Sequence, residues 1–293
     1  MNKTVAALLW GVLGTLLFTV GYASGKLTGG ETPVFQIVFI RFASGFATLL
    51  LVASLKMKSV KDYSSRYVHF HLMRSFCGSL GVVCVIYASQ ISSIADVTAL
   101  SLTDGLLTVI LSILILGEVV NKMQWFGALL CAAGALVVVL GSSTGKLFGS
   151  FNTGLWLALL AALLIAIESI LIKILAMREK PIVILLYVNF FSMLVLLFPA
   201  IYVWETPGIE QFVFFILLGP IAITAQYCWI VAYNLENVSV VTPINYTWIV
   251  FAAILGYLFF DEPIGGYLIV GSVLITAGGI ILARPSALVT TKT

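Results

Sequence analysis

Long apolar runs, separated by short polar turns, occupy nearly the whole chain. Ten can be read, at residues 4–25, 33–55, 68–89, 94–116, 123–140, 152–174, 181–204, 210–233, 238–260 and 264–283. A helix needs about 20 apolar residues to cross a bilayer. These runs are apolar throughout, whereas barrel strands alternate apolar and polar positions over about ten residues. The pattern therefore predicts an all-α integral membrane protein with ten transmembrane helices.

The pattern also repeats. Ile113–Leu140 and Leu258–Leu282 share an acidic turn between two apolar stretches, with Glu118, Gly127 and Gly134 matching Glu262, Gly271 and Gly278 at a constant offset of 144 residues. Lys26 after the first span matches Lys173 at an offset of 147, and Pro33 with Arg41-Phe42 matches Pro181 with Asn189-Phe190 at 148. Tyr87 and Tyr233 stand 146 apart. The first span thus has a partner in the second half, which argues against its being a cleaved signal peptide. Two repeats are expected, residues 1–145 and 146–293. Five spans each is an odd number, so the second repeat enters the membrane inverted, an arrangement that places a transport site near the midplane between the halves.

Composition supports the bilayer and excludes a soluble globule: 61% of residues are hydrophobic, only 9% are charged, and the mean hydropathy is +1.14. With the N-terminus in the cytoplasm, Lys3, Lys56, Lys58, Lys61, Arg66, Lys122, Lys173, Arg178, Lys180, Arg284 and Lys292 fall inside, against Lys26 and Lys146 outside. Both termini are expected in the cytoplasm and the protein in the inner (plasma) membrane. The net charge of +3 reflects this topology and gives no reason to invoke nucleic acid.

The segment His71-Leu72-Met73-Arg74 with Gly78, then Tyr87-Ala88, Ile94 to Ser101 and Leu116-Gly117-Glu118, resembles the first half of an EamA-type member of the drug/metabolite transporter superfamily. Thr242-Pro243, Tyr246 and Phe260-Asp261-Glu262-Pro263 resemble that family's closing motif. The resemblance covers essentially the whole chain. It implies a gradient-driven carrier rather than an enzyme, with no cofactor. The family carries many metabolites on one scaffold, so substrate does not follow from it. The chain has no Gly-rich phosphate loop with its Lys.

In the fourth span this chain departs from the family, reading Thr103-Asp104-Gly105 where a proline is usual. A carboxylate facing lipid at that depth costs at least about 2.5 kcal/mol, so Asp104 is expected to face a cavity or a cation. Lining the site, pairing with Arg41 and bonding in protonated form between helices all remain open. Gly105 is expected to permit local unwinding. The repeat counterpart of Asp104, at the offset of 144, is Trp248, with Asn245 and Tyr246 near it. Glu168 in the sixth span either binds a cation or exchanges a proton in the pathway, or bonds to a neighbouring helix. Arg41 is deep enough to meet Asp104 or a substrate carboxylate, whereas Arg74 is expected to reach the headgroups as an anchor. Gln226, Tyr22 and Tyr87 complete the substrate-binding set with Asp104, Trp248, Tyr246, Asn245, Arg41 and Glu168.

Other residues invite structural readings. Pro243 frees a carbonyl within its span and makes a hinge or polar notch. Asp96 caps the fourth span, and Glu118 is expected to cap the fifth. Gly127, Gly134, Gly271 and Gly278 make smooth faces that suit close packing within the protomer or in a homodimer. Cys77, Cys84, Cys131 and Cys228 lack ligand spacing and read as small hydrophobes, so no metal is expected. His69 and His71 read as polar flanks of the third span. The chain as a whole is expected to move a small amino acid-like or amine-bearing metabolite by alternating access, outward by family habit; uptake or exchange of a larger cationic metabolite such as S-adenosylmethionine is the alternative.

Overall fold

A computed structural model of the chain describes residues 3–27, 32–55, 63–91, 101, 103–142, 153–248, 250, 251, 254, 258 and 266–282. Asp96, Lys56, Lys58, Lys61, Lys146, Asp261-Glu262-Pro263, Arg284 and Lys292 lie outside them, as do the side chains of Tyr22 and Lys26 and the expected boundary at 145/146.

The described residues form ten α-helices: α1 (Lys3–Leu27), α2 (Val34–Leu55), α3 (Val68–Ile91), α4 (Thr103–Leu116), α5 (Lys122–Ser142), α6 (Thr153–Ala176), α7 (Pro181–Tyr202), α8 (Ile209–Leu235), α9 (Val238–Val241) and α10 (Gly266–Leu282). No strand occurs among them. Val34–Leu55, Val68–Ala88, Trp156–Ala176, Pro181–Tyr202 and Ile209–Leu235 are long and apolar enough to cross a membrane, and Lys3–Thr19, Thr103–Leu116, Lys122–Val137 and Ile269–Ile281 are shorter apolar helices. α9 passes directly into a 3-10 turn, Thr242–Tyr246, where Pro243 cannot donate the backbone bond that would continue an α-helix. The expected notch is thus a tightened turn.

α1 packs on α8 and α3 on α6; α2 lies against α7 and α8, α3 against α7, α4 against α6, and α5 against α10. α9 and the 3-10 turn that follows it touch α1. Small residues set the closest of these contacts. A Cβ on Gly134 would lie 2.7 Å from the Gly271 carbonyl oxygen, and one on Gly278 would lie 2.7 Å from that of Gly127. The smooth faces of α5 and α10 therefore meet within one chain.

Polar ties between elements gather at the end of the bundle where α1 and α3 begin. Glu118, after α4, accepts from Val238 N at 2.9 Å, Ser239 N at 3.0 Å and Ser239 Oγ at 2.7 Å. It caps α9 rather than α5, because the left-handed turn at Gly117 (φ 67°) precedes it and its partners are the free N–H groups of α9. At α5 that role falls to Asn121, whose Oδ1 accepts from Gln124 N at 2.8 Å. Lys173 Nζ donates to the Tyr233 and Glu236 carbonyls at the end of α8, both at 2.7 Å. Asn234 Nδ2 donates to the Ala176 carbonyl at 2.5 Å, and Thr4 Oγ1 to Glu236 at 2.8 Å.

His71 does not flank α3 as a solvated polar residue. It is wholly buried, stacked on Tyr187 with centroids 4.7 Å apart, and its Nε2 lies 2.6 Å from Glu179 Oε2. Glu179 also accepts from Ser65 Oγ, while Tyr187 Oη accepts from Ser65 N at 3.1 Å. At the opposite end Gln36 and the backbone of Glu205 bond reciprocally, at 2.6 and 3.0 Å, tying α2 to the segment after α7.

Candidate functional site

The ionisable residues of the spans converge from different helices. On α3, Arg74, Ser75, Gly78 and Ser79 share one buried face, since positions four apart stack along a helix. That face meets α6 at Glu168. Arg74 Nε lies 3.5 Å from Glu168 Oε1; the arginine is completely buried, while the glutamate side chain is 22% exposed. Glu168 thus stands between Arg74 and open space. Its berth exists because residue 78 has no side chain: a Cβ there would lie 2.7 Å from the carboxyl carbon. This corrects the expectation that Arg74 reaches out to headgroups. Its stem runs from the inner face of α3, and a charge so placed needs a partner within the bundle.

Arg41, on α2, is half-buried and acts electrostatically on the same Glu168. Its guanidinium lies 4.9 Å from the Phe42 ring and 5.9 Å from the Phe18 ring, distances suited to cation–π attraction. No ion pair joins Arg41 to Asp104 among the described residues.

Asp104 begins α4 and lies beside Tyr246, the last residue of the 3-10 turn. Gly105 is helical and buried, with no unwinding. A Cβ on it would come 2.5 Å from Tyr246 Oη, so the glycine admits the phenol rather than a break in the helix. Buried Tyr233, on α8, shares a hydrogen bond with Thr242 at 3.3 Å and feels both Asp104 and Glu168. Asn245 and Trp248 are half-buried on either side of Tyr246. Gln226 is buried on α8, and its Oε1 has no hydrogen-bond partner among the described residues.

Tyr87 is not brought together with these residues. It is 49% exposed and shares the outer face of α3 with Phe76, roughly opposite Arg74, because eleven residues are about three helical turns. Tyr22 lies on α1, and its side chain is outside the described residues. Sequence reasoning set Arg74 aside by its nearness to a span end. The better signal was its four-residue spacing to Gly78, which makes room for a partner on the same face. No group of His, Cys, Asp and Glu able to hold a metal occurs among the described residues.

A sequence model of the EamA-like transporter family matches residues 5–140 and 152–284, nearly the whole chain. This chain belongs to the EamA-like transporter family. It is 28% identical to the pseudopaline exporter of Pseudomonas aeruginosa over 282 residues, 95% of this chain and 96% of that one. It is 24% identical to the S-adenosylmethionine uptake transporter of Rickettsia prowazekii, over 86% and 84% of the two chains, and 26% identical to a riboflavin transporter of Rhizobium johnstonii, over 97% and 92%. A solved protein structure superposes with a TM-score of 0.79 at 20% identity, covering 94% of this chain and 96% of its own, and shares the fold. The EamA-like chain is accordingly a multi-pass membrane transporter of small molecules.

Proposed function

We propose that this transporter is a secondary carrier that exports a small amino acid-like or amine-bearing metabolite across the plasma membrane, with both termini in the cytoplasm. The observation that carries the reading is a pair of acidic groups held against buried helix faces: Glu168, 3.5 Å from Arg74, and Asp104, next to Gly105 where the Tyr246 phenol enters. Carboxylates within an aromatic setting suit an ammonium group, and guanidinium groups nearby suit a carboxylate. Asn245, Trp248 and Gln226 extend this lining. Export is favoured by the pseudopaline exporter among the relatives.

Alternating access between two inverted five-helix halves, 1–145 and 146–293, is the mechanism proposed. Two observations support it. The family model matches twice along the chain. The principal helix pairs also map onto one another when each helix is exchanged for the one five places away: α1–α8 becomes α6–α3, α2–α8 becomes α7–α3, α4–α6 becomes α9–α1, and α2–α7 and α5–α10 map onto themselves. In such a scaffold either half can rock about a site held at their interface.

Uptake or exchange of a larger cationic metabolite is the second reading, favoured by the S-adenosylmethionine uptake transporter among the relatives. Counterflow of labelled amino acids and of S-adenosylmethionine into proteoliposomes separates the two. Asp104→Asn removes the charge with little change of shape. It is expected to lower exchange of the transported class by about tenfold or more, the loss of one charge-assisted hydrogen bond of ~1.5–3 kcal/mol. Normal exchange by this variant would remove Asp104 from the site.

A further inference from the structure

The charges around Glu168 are unevenly satisfied. Arg74 is wholly buried, yet none of Nε, Nη1 and Nη2 has a hydrogen-bond partner among the described residues; Glu168 comes to 3.5 Å from Nε, an ion-pair contact without a hydrogen bond. A guanidinium is built to hold a carboxylate through two parallel N–H bonds, and here none of its buried nitrogens has one. Buried donors left in that state are costly and call for a partner. Glu168 is partly exposed in front of Arg74, and Arg41 also acts on it. The glutamate can therefore leave Arg74 without losing all cationic support.

Resting on the transport reading, we infer that Arg74 is a carboxylate-binding residue of the substrate site and that Glu168 is its built-in competitor. An incoming carboxylate takes Arg74 in two-bond geometry while Glu168 turns towards Arg41. The transported metabolite then carries a carboxylate as well as its amine, and the same exchange clears the berth beside Gly78. A dianionic phosphate, which concentrates two charges on one group, is disfavoured beside the displaced Glu168, whereas each carboxylate of glutarate brings only one.

The test uses the purified full-length protein in detergent with glutarate as probe, at fixed ionic strength against sodium chloride, and follows the thermal unfolding midpoint. Wild type is expected to respond saturably, and Glu168→Gln to reach half-saturation at about tenfold lower glutarate, as removal of an internal competitor requires. Glu168→Gln combined with Arg74→Gln removes both charges together, so it leaves no orphaned ion, and should show no response. Equal half-saturation in wild type and Glu168→Gln, no saturable response in either, or a response that survives in the double variant would each overturn the assignment. So would equal affinity for inorganic phosphate. Because binding is read without transport, a failure of counterflow with intact glutarate competition would reject the carrier reading alone.

Discussion

Glu118 offers the sharpest check on how α4 is joined to α9. Its carboxylate accepts from two backbone N–H groups and one hydroxyl at the start of α9, at 2.7–3.0 Å. Val238 and Ser239 are 0% and 1% exposed, so water cannot replace the lost acceptor without rearrangement. Glu118→Ala leaves two buried N–H groups unpaired at ~1–3 kcal/mol each, hence an expected destabilisation of ~2–6 kcal/mol. Glu118→Gln keeps one acceptor oxygen and should cost less, ~1–2 kcal/mol. The assay is equilibrium unfolding of the purified protein in mixed micelles, followed by tryptophan fluorescence. A double-mutant cycle with Ser239→Ala should show coupling of ~1–2 kcal/mol, since both changes remove the same charge-assisted bond. Glu210→Ala, at the exposed start of α8, is the control and should unfold as wild type does. Stability of Glu118→Ala within ~0.5 kcal/mol of wild type, or strict additivity with Ser239→Ala, would refute the capping argument.

Other substitutions probe the packing around the site. Gly105→Ala places a methyl 2.5 Å from Tyr246 Oη and should destabilise by ~1–3 kcal/mol despite the better helix propensity of alanine, with Tyr246→Phe in the same chain recovering part of the loss on unfolding. Gly134→Val drives α5 from the Gly271 carbonyl, 2.7 Å from the new Cβ, and should lower the thermal midpoint and the folded yield far more than Ala133→Val on the exposed side of α5. His71→Ala removes a buried partner of Glu179 and should cost ~1–3 kcal/mol, and combining it with Glu179→Gln should be less than additive in the same unfolding measurement.

The sequence by itself determined the solvent, the element type and the family. A run of apolar residues can satisfy its backbone in lipid only as a helix, so periodicity and length settle the class without any tertiary contact. It also marked Asp104, Glu168 and Arg41 as charges out of place, because the cost of a charge among apolar residues is visible from composition. Partnerships were another matter. Arg74, Tyr87 and His71 lie on one helix within seventeen residues, and only the rotation of α3 decides that Arg74 and His71 face the bundle while Tyr87 faces out. Glu118 was legible as a cap, yet its proper helix lies 120 residues away and becomes its neighbour only when α4 and α9 are packed. Gly105 read as a weak point in a helix, whereas Tyr246, brought against it by the 3-10 turn at Pro243, makes it a point of close approach. Local chemistry fixes what a residue can do, while the docking of distant helices decides which partner it meets, because a helix face is shared by residues that only packing can tell apart.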